Sequence, residues 1–195
     1  MPRKGELTRS RILDEAAEVF QRKGFLGATV SDLLDATGTT KGNLYFHFAG
    51  KEELGLAVLE RAKADFAAFL DQALQGPTPG AQLENFLGKV LEKNRAKGFV
   101  GGCIFGNTAL EASDTAPQFA GVVKEVFDHW TGRLREVLAA AQQAGQVRSD
   151  LPAGRLAEIL VAASEGAIMQ SRLEKAEGPL ARAMDTLRVL LELKT

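Results

Sequence analysis

Apolar residues return at helical spacing along almost the whole chain of 195 residues, and no stretch alternates at the two-residue period of a strand. Ile12, Ala16, Val19 and Phe20 stand at i, i+4, i+7 and i+8, one stripe of an amphipathic helix that Gly24 ends. Thr29-Val30-Ser31-Asp32 offers a hydroxyl cap with an acid three residues on, and opens a short helix that stops near Gly38. Thr39-Thr40-Lys41 opens another short segment, ending near Phe48. A long helix is predicted from Lys51 to Leu74, where Gln75-Gly76-Pro77-Thr78-Pro79 breaks it. Prolines 79, 117, 152 and 179 each mark the start of a later helix, where a fixed φ and a missing N–H cost nothing. In the last helix Leu180, Ala183, Met184, Leu187, Leu190 and Leu191 form one apolar stripe, too regular to need only intrachain partners. Lys97 to Gly102 reads as an irregular connector. The fold class expected is all-α, with residues 1–51 as one domain and 52–195 as another.

Composition narrows the functions open to such a chain. Hydrophobic residues make up 45% and charged residues 25%, a globular balance that argues against disorder or a fibre. A chain of this length can bury roughly 70% of its unfolded surface, enough for one large or two small domains. One cysteine rules out a disulfide within the chain and suits a reducing cytoplasm. No apolar run approaches the ~20 residues of a membrane span, and no apolar segment follows the basic N-terminus as a secretory signal requires. The net charge of −1 conceals an asymmetry: residues 1–51 carry eight basic against six acidic side chains, the remainder sixteen against nineteen. A basic head on an acidic body points to a polyanion at the N-terminal end.

The segment 29–48 has the mechanics of a helix-turn-helix. Its first helix is short, Gly38 lets the chain swing away, and the second helix turns Leu44 and Phe48 inward. That leaves Thr39, Thr40, Lys41, Asn43, Tyr45 and His47 outside. Hydroxyls and helix N-termini suit phosphates, and Lys41 and Lys51 add positive charge.

Three runs carry a resemblance: Thr29-Val30-Ser31-Asp32-Leu33-Leu34, then Thr37 to Phe48 (TGTTKGNLYFHF), then Lys51-Glu52-Glu53-Leu54. Together they resemble the DNA-binding signature of the TetR family of bacterial repressors, over about residues 8–56. The resemblance implies a three-helix DNA-binding head, a helical ligand-binding body, and a homodimer built on the last two helices. The partners expected with it are double-stranded DNA with a pseudo-palindromic operator and a small-molecule inducer; the residues themselves lead us to expect no membrane, no cofactor and no metal. Carried over position by position, Thr39, Thr40, Lys41, Gly42, Asn43, Tyr45 and His47 contact DNA, and Thr29 and Lys51 hold phosphates at the flanks. Phe46 stands where some members have a second tyrosine, so that hydroxyl is missing here, and Gly50 replaces a frequent serine or asparagine cap.

Each of these residues also has a purely structural reading. Thr29 is a helix cap with or without DNA; Tyr45 and His47 could serve packing alone, and Asn43 solvation alone. Arg3, Lys4, Arg9 and Arg11 read as a flexible basic arm. The body aromatics Phe66, Phe69, Phe86, Phe99, Phe105, Phe119, Phe127 and Trp130 read as core. Cys103 follows a glycine pair at a helix start, and its surroundings resemble a TetR subgroup that senses electrophiles and oxidants. By that resemblance Cys103 is the sensor thiol and Arg172 its basic partner; a buried structural cysteine is the other reading. An enzyme fits poorly, because there is no phosphate loop, no metal-ligand cluster around His47 or His129, and no catalytic residue set. A helical interaction module without DNA binding is opposed by the joint presence of Lys41, Tyr45 and Lys51.

Overall fold

The computed structural model describes residues 4–195. Among them are nine helices and no strand: α1 Lys4–Lys23, α2 Val30–Thr37, α3 Lys41–His47, α4 Lys51–Ala73, α5 Pro79–Ala96, α6 Ile104–Ala112, α7 Pro117–Gln143, α8 Ala153–Glu174 and α9 Gly178–Leu191. The punctuation read from the sequence holds. Gly24 follows α1 at φ 77°, Gly38 follows α2 at φ 58°, and the Thr78 hydroxyl accepts from the Ala81 N–H ahead of Pro79.

The N-terminal arm is a correction. Arg9 and Arg11 lie inside α1, which starts at Lys4, and so belong to a helix and not to a flexible arm; Arg3 lies outside the described residues. Glu6 in the first turn favours the helix N-terminus, so the helix extends back through the basic residues. Arg9 is also held from the side, its guanidinium 4.8 Å from the centre of the Phe48 ring.

Packing divides the chain into two compact units. The described residues up to Ala64 group with 104–124, and residues 65–103 group with 125–195. The boundary expected at 51/52 therefore falls inside the first unit. The reason is that α6 and the start of α7 pack with the head: Ile104 lies against its core, and Phe119 meets Phe25 at 4.4 Å between centroids. Phe119, expected in the body core, thus belongs to the first unit, as does Phe105. The core of this unit is Ile12, Ala16, Phe20, Leu33, Leu44, Phe48 and Leu54.

In the second unit, α5, α7, α8 and α9 bury Leu83, Phe86, Leu134, Leu138, Leu160, Leu180 and Met184. The stripe of α9 needs correcting too. Leu180, Met184, Leu187 and Leu191 are all at most 3% exposed and so find their partners within the chain. Of the stripe, Leu190 is left in solvent, together with Val189 on α9 and Ile159, Met169 and Leu173 on α8.

Candidate nucleic-acid interface

Local chemistry sets the two short helices. At α2 the Thr29 hydroxyl accepts from the Asp32 N–H at 3.1 Å, and the Asp32 carboxylate accepts from the Thr29 N–H at 2.9 Å. At α3 the Thr40 hydroxyl accepts from the Asn43 N–H at 3.2 Å. Between them Gly38 adopts the left-handed backbone that only glycine enters without strain. Thr37, buried, sends its hydroxyl to the Leu33 carbonyl at 2.7 Å, so the turn leaves no orphaned group there. Leu33, Leu44 and Phe48, all under 5% exposed, fix the pair of helices to α1.

The residues expected on the outward face are exposed or half-buried, and Phe46, which the sequence reading did not place there, is exposed with them. Thr29, Thr40, Lys41, Gly42 and Tyr45 are exposed, and Thr39, Asn43 and His47 are half-buried. They are not independent side chains. Asn43 donates from Nδ2 to the Thr39 hydroxyl at 2.7 Å, which points its amide oxygen away from that bond. Lys41 lies over the Tyr45 ring at 5.9 Å. His47 sits between the rings of Phe46 and Phe48, 5.1 and 6.5 Å from them. From Ala36 to Lys51 there is no carboxylate, while Asp35 and Glu52 stand immediately outside. An uninterrupted acid-free segment bearing Lys41, with its hydroxyls outward, is the face that a phosphate backbone can approach.

Lys51 carries a task that sequence spacing did not reveal. Its Nζ donates to the carbonyls of Phe25 and Ala28, at 2.9 and 3.0 Å, and lies 4.7 Å above the Phe25 ring. Two of its three donors thus clamp the loop before Thr29, leaving one for a phosphate. A second grip on that loop comes from α6, where Glu111 accepts the Leu26 N–H at 3.1 Å. No local pattern announces either grip, because the partners are 23 to 85 residues apart.

Asp32 has a measurable consequence. Its hydrogen bond from Lys23, then those from the Thr29 backbone and hydroxyl, hold its pKa at about 2, below the ordinary aspartate value of 3.8. A depressed carboxylate stabilises the folded state above its unfolded pKa, and that support is lost as pH falls through the folded value. Asp32→Asn is therefore expected to lower the melting temperature at pH 6. The difference from wild type should shrink below pH 4 and be lost only below about pH 2, as followed by circular dichroism.

Cys103 and Arg172 belong to the second unit. Cys103 is half-buried and precedes α6, and Gly102 runs so close to Arg172 that a built Cβ would stand 3.0 Å from its Cδ. The sequence did not point to Glu165. Burial pushes its pKa above the ordinary glutamate value, its hydrogen bond with the Cys103 thiol acts the other way, and its Oε1 has no partner. Lys93 places its ammonium 4.2 and 5.6 Å from the Phe69 and Phe66 ring centres. Desolvation there pushes its pKa below the usual lysine value, with Lys97 adding to the effect. Trp130, 3% exposed, buries an Nε1–H that has no acceptor. Among the described residues no group of three His, Cys, Asp or Glu is placed to hold a metal ion.

A capped, glycine-jointed pair of short helices with an acid-free polar face defines a helix-turn-helix DNA-binding protein. Comparison with known proteins gives the family. Residues 12–58 match the bacterial regulatory proteins of the tetR family, and residues 79–187 match the tetracyclin repressor-like C-terminal domain. The chain is 31% identical to the transcriptional regulator AcuR of Cereibacter sphaeroides, over 89% of this chain and 80% of that one. It is 27% identical to the HTH-type transcriptional repressor DhaR of Mycobacterium sp. strain GP1, over 88% and 86%. The crystal structure of a TetR transcriptional regulator from Chloroflexus aurantiacus superposes with a TM-score of 0.88 at 33% identity, covering 96% of both chains. The protein belongs to the TetR family and is a DNA-binding transcriptional regulator. No helix among the described residues is long and apolar enough to cross a membrane.

Proposed function

We propose that the protein is a cytoplasmic homodimeric repressor that holds a pseudo-palindromic operator until a small molecule or thiol-reactive compound releases it. Residues 1–51 act as the DNA-binding part and 52–195 as the ligand-binding and dimerising part. The observation that carries the reading is the acid-free outward face of α3. On it Thr39, Thr40, Lys41, Gly42, Asn43, Tyr45 and His47 meet DNA, with Thr29 and the remaining donor of Lys51 at the flanks. Two copies of α3 read half-sites about one helical turn apart, ~34–36 Å, or a multiple of it. The test is selection of bound duplex from a random pool, followed by affinity against salt. Lys41→Ala is expected to weaken selected and random DNA alike and to lower the salt slope by about one unit for each phosphate it no longer neutralises. Asn43→Ala is expected to relax sequence choice, losing affinity on the selected duplex only. Equal losses for Asn43→Ala on both duplexes would assign its amide to the backbone.

Release has two routes, and Cys103 separates them. Lys93, whose charge interacts with that of the Cys103 sulfur, with Arg172 in the same unit, supports a reactive cysteine, while an ionised Glu165 beside the thiol works against the thiolate. The unpartnered Trp130 N–H and Glu165 Oε1 support a non-covalent ligand inside the body. Alkylation of Cys103 by N-ethylmaleimide is expected to lower operator affinity in the wild type, with Cys103→Ser binding DNA normally and ignoring the reagent. Full alkylation without loss of affinity would leave the non-covalent route.

A further inference from the structure

We propose that Phe46, with the bare backbone of Gly42 beside it, reads a thymine C5-methyl group in the major groove. Phe46 is 82% exposed, the most open of the large aromatic residues among those described. Its neighbours on α3 show what it is not. Leu44 and Phe48 supply the apolar anchor beneath the helix, at 4% and 1% exposure, so Phe46 is not needed for the core. It has no hydroxyl, so it cannot bond a phosphate as a tyrosine at the same place could. What it can offer is an apolar face and an aromatic edge.

The register of α3 supplies the rest of the pocket. Gly42 stands four residues before Phe46, hence on the same side of the helix one turn back. Nothing lies within 4 Å of where a Cβ on Gly42 would stand. An apolar ring beside an open stretch of backbone makes a step in which a methyl group fits, with the ring on one side and the glycine Cα below. The ring has a neighbour on this face, the His47 ring, which stands nearly at a right angle to it, 82° at 5.1 Å between centroids. The occupant is set by charge and by the other groups on this face. An acid-free segment with Lys41 and outward hydroxyls faces a polyanion. In duplex DNA the one apolar group that major-groove base edges present is the thymine methyl.

The experiment uses the full-length protein and the duplex it selects from a random pool. Each thymine of the selected site is replaced in turn by deoxyuridine, which removes only the methyl group, and affinity is measured at fixed salt. Wild-type protein should lose roughly four-fold for each thymine so read, the value of one buried methyl group. Phe46→Ala should lose at least as much on the unmodified duplex and become indifferent to deoxyuridine at that position alone. Phe46→Leu, which keeps an apolar side chain, should retain part of the discrimination. Unchanged melting curves for both variants confirm that the head is folded, as the exposure of Phe46 requires. A wild type indifferent to deoxyuridine at every position overturns the assignment. So does a Phe46→Ala variant that weakens but keeps the full deoxyuridine penalty, since the ring then rests on sugar or phosphate.

Discussion

Phe48→Ala is expected to destabilise the protein by about 3–5 kcal/mol, the cost of removing a fully buried phenyl ring and leaving its cavity. At roughly 2–4 °C per kcal/mol for a chain of this size, the melting temperature should fall by about 6–20 °C. Phe48 is 1% exposed and lies in the core that joins α1, α2 and α3. It also carries the Arg9 guanidinium on its outer face, 4.8 Å from the ring centre, so the loss is not of apolar packing alone. Its backbone N–H reaches the Leu44 carbonyl at 3.0 Å and closes the end of α3. DNA affinity should fall with the folded fraction of the head. Phe46→Ala, two residues away, is expected to leave the melting temperature unchanged and to act on DNA only. A Phe48→Ala variant that melts within about 2 °C of wild type, less than one kcal/mol by the same conversion, would mean that α3 is anchored by something other than this ring.

That contrast also shows where the sequence was legible. Helical spacing and caps act over three or four residues, so Thr29 with Asp32, Gly38, and Thr78 before Pro79 could be read directly and stand as expected. Inward and outward sides of α3 follow from the same period, which separated Leu44 and Phe48 from Lys41 and Tyr45. Interactions made across the chain have no such signature. Lys51 reads as a free cation until the carbonyls of Phe25 and Ala28 are brought beneath it. Arg9 reads as part of a loose arm until Phe48 arrives under its guanidinium. Glu165 has no distinguishing neighbour in sequence, and only the return of α8 toward the residue before α6 places it on the Cys103 thiol. The apolar stripe of α9 was visible, but a stripe does not state whether its partner lies in the same chain. Here Leu180, Met184, Leu187 and Leu191 are covered from within.

The face that a second copy would cover is therefore a different one, and charge placed on it should have the largest effect on DNA binding. Along α8, Ile159, Ala163, Gly166, Gln170 and Leu173 follow at i, i+4, i+7, i+11 and i+14, one continuous stripe with small residues at its centre. On α9, Pro179, Ala183, Thr186 and Leu190 form a matching row. A shallow groove of about 330 Å³ runs between them, lined by Ile159, Ala163, Gln170, Arg182, Thr186 and Leu190 among others. Small residues let two helix pairs approach closely, and Ile159, Leu173 and Leu190, all at least half exposed, supply the apolar area. The double variant Ile159→Glu with Leu190→Glu puts two charges on each copy of this face, four at a symmetric interface, where burial would strip their water. Light scattering at micromolar concentration is expected to report a dimer for the wild type and a monomer for this variant. The melting temperature of the monomer itself should change little, because both side chains already lie in solvent. Operator affinity should fall by a factor of roughly 10²–10⁴, because one recognition helix alone loses the effective concentration that a linked second copy provides. A variant that stays dimeric and binds normally would place the interface elsewhere. A wild type that is already a monomer and still binds a palindrome tightly would end the dimer reading itself.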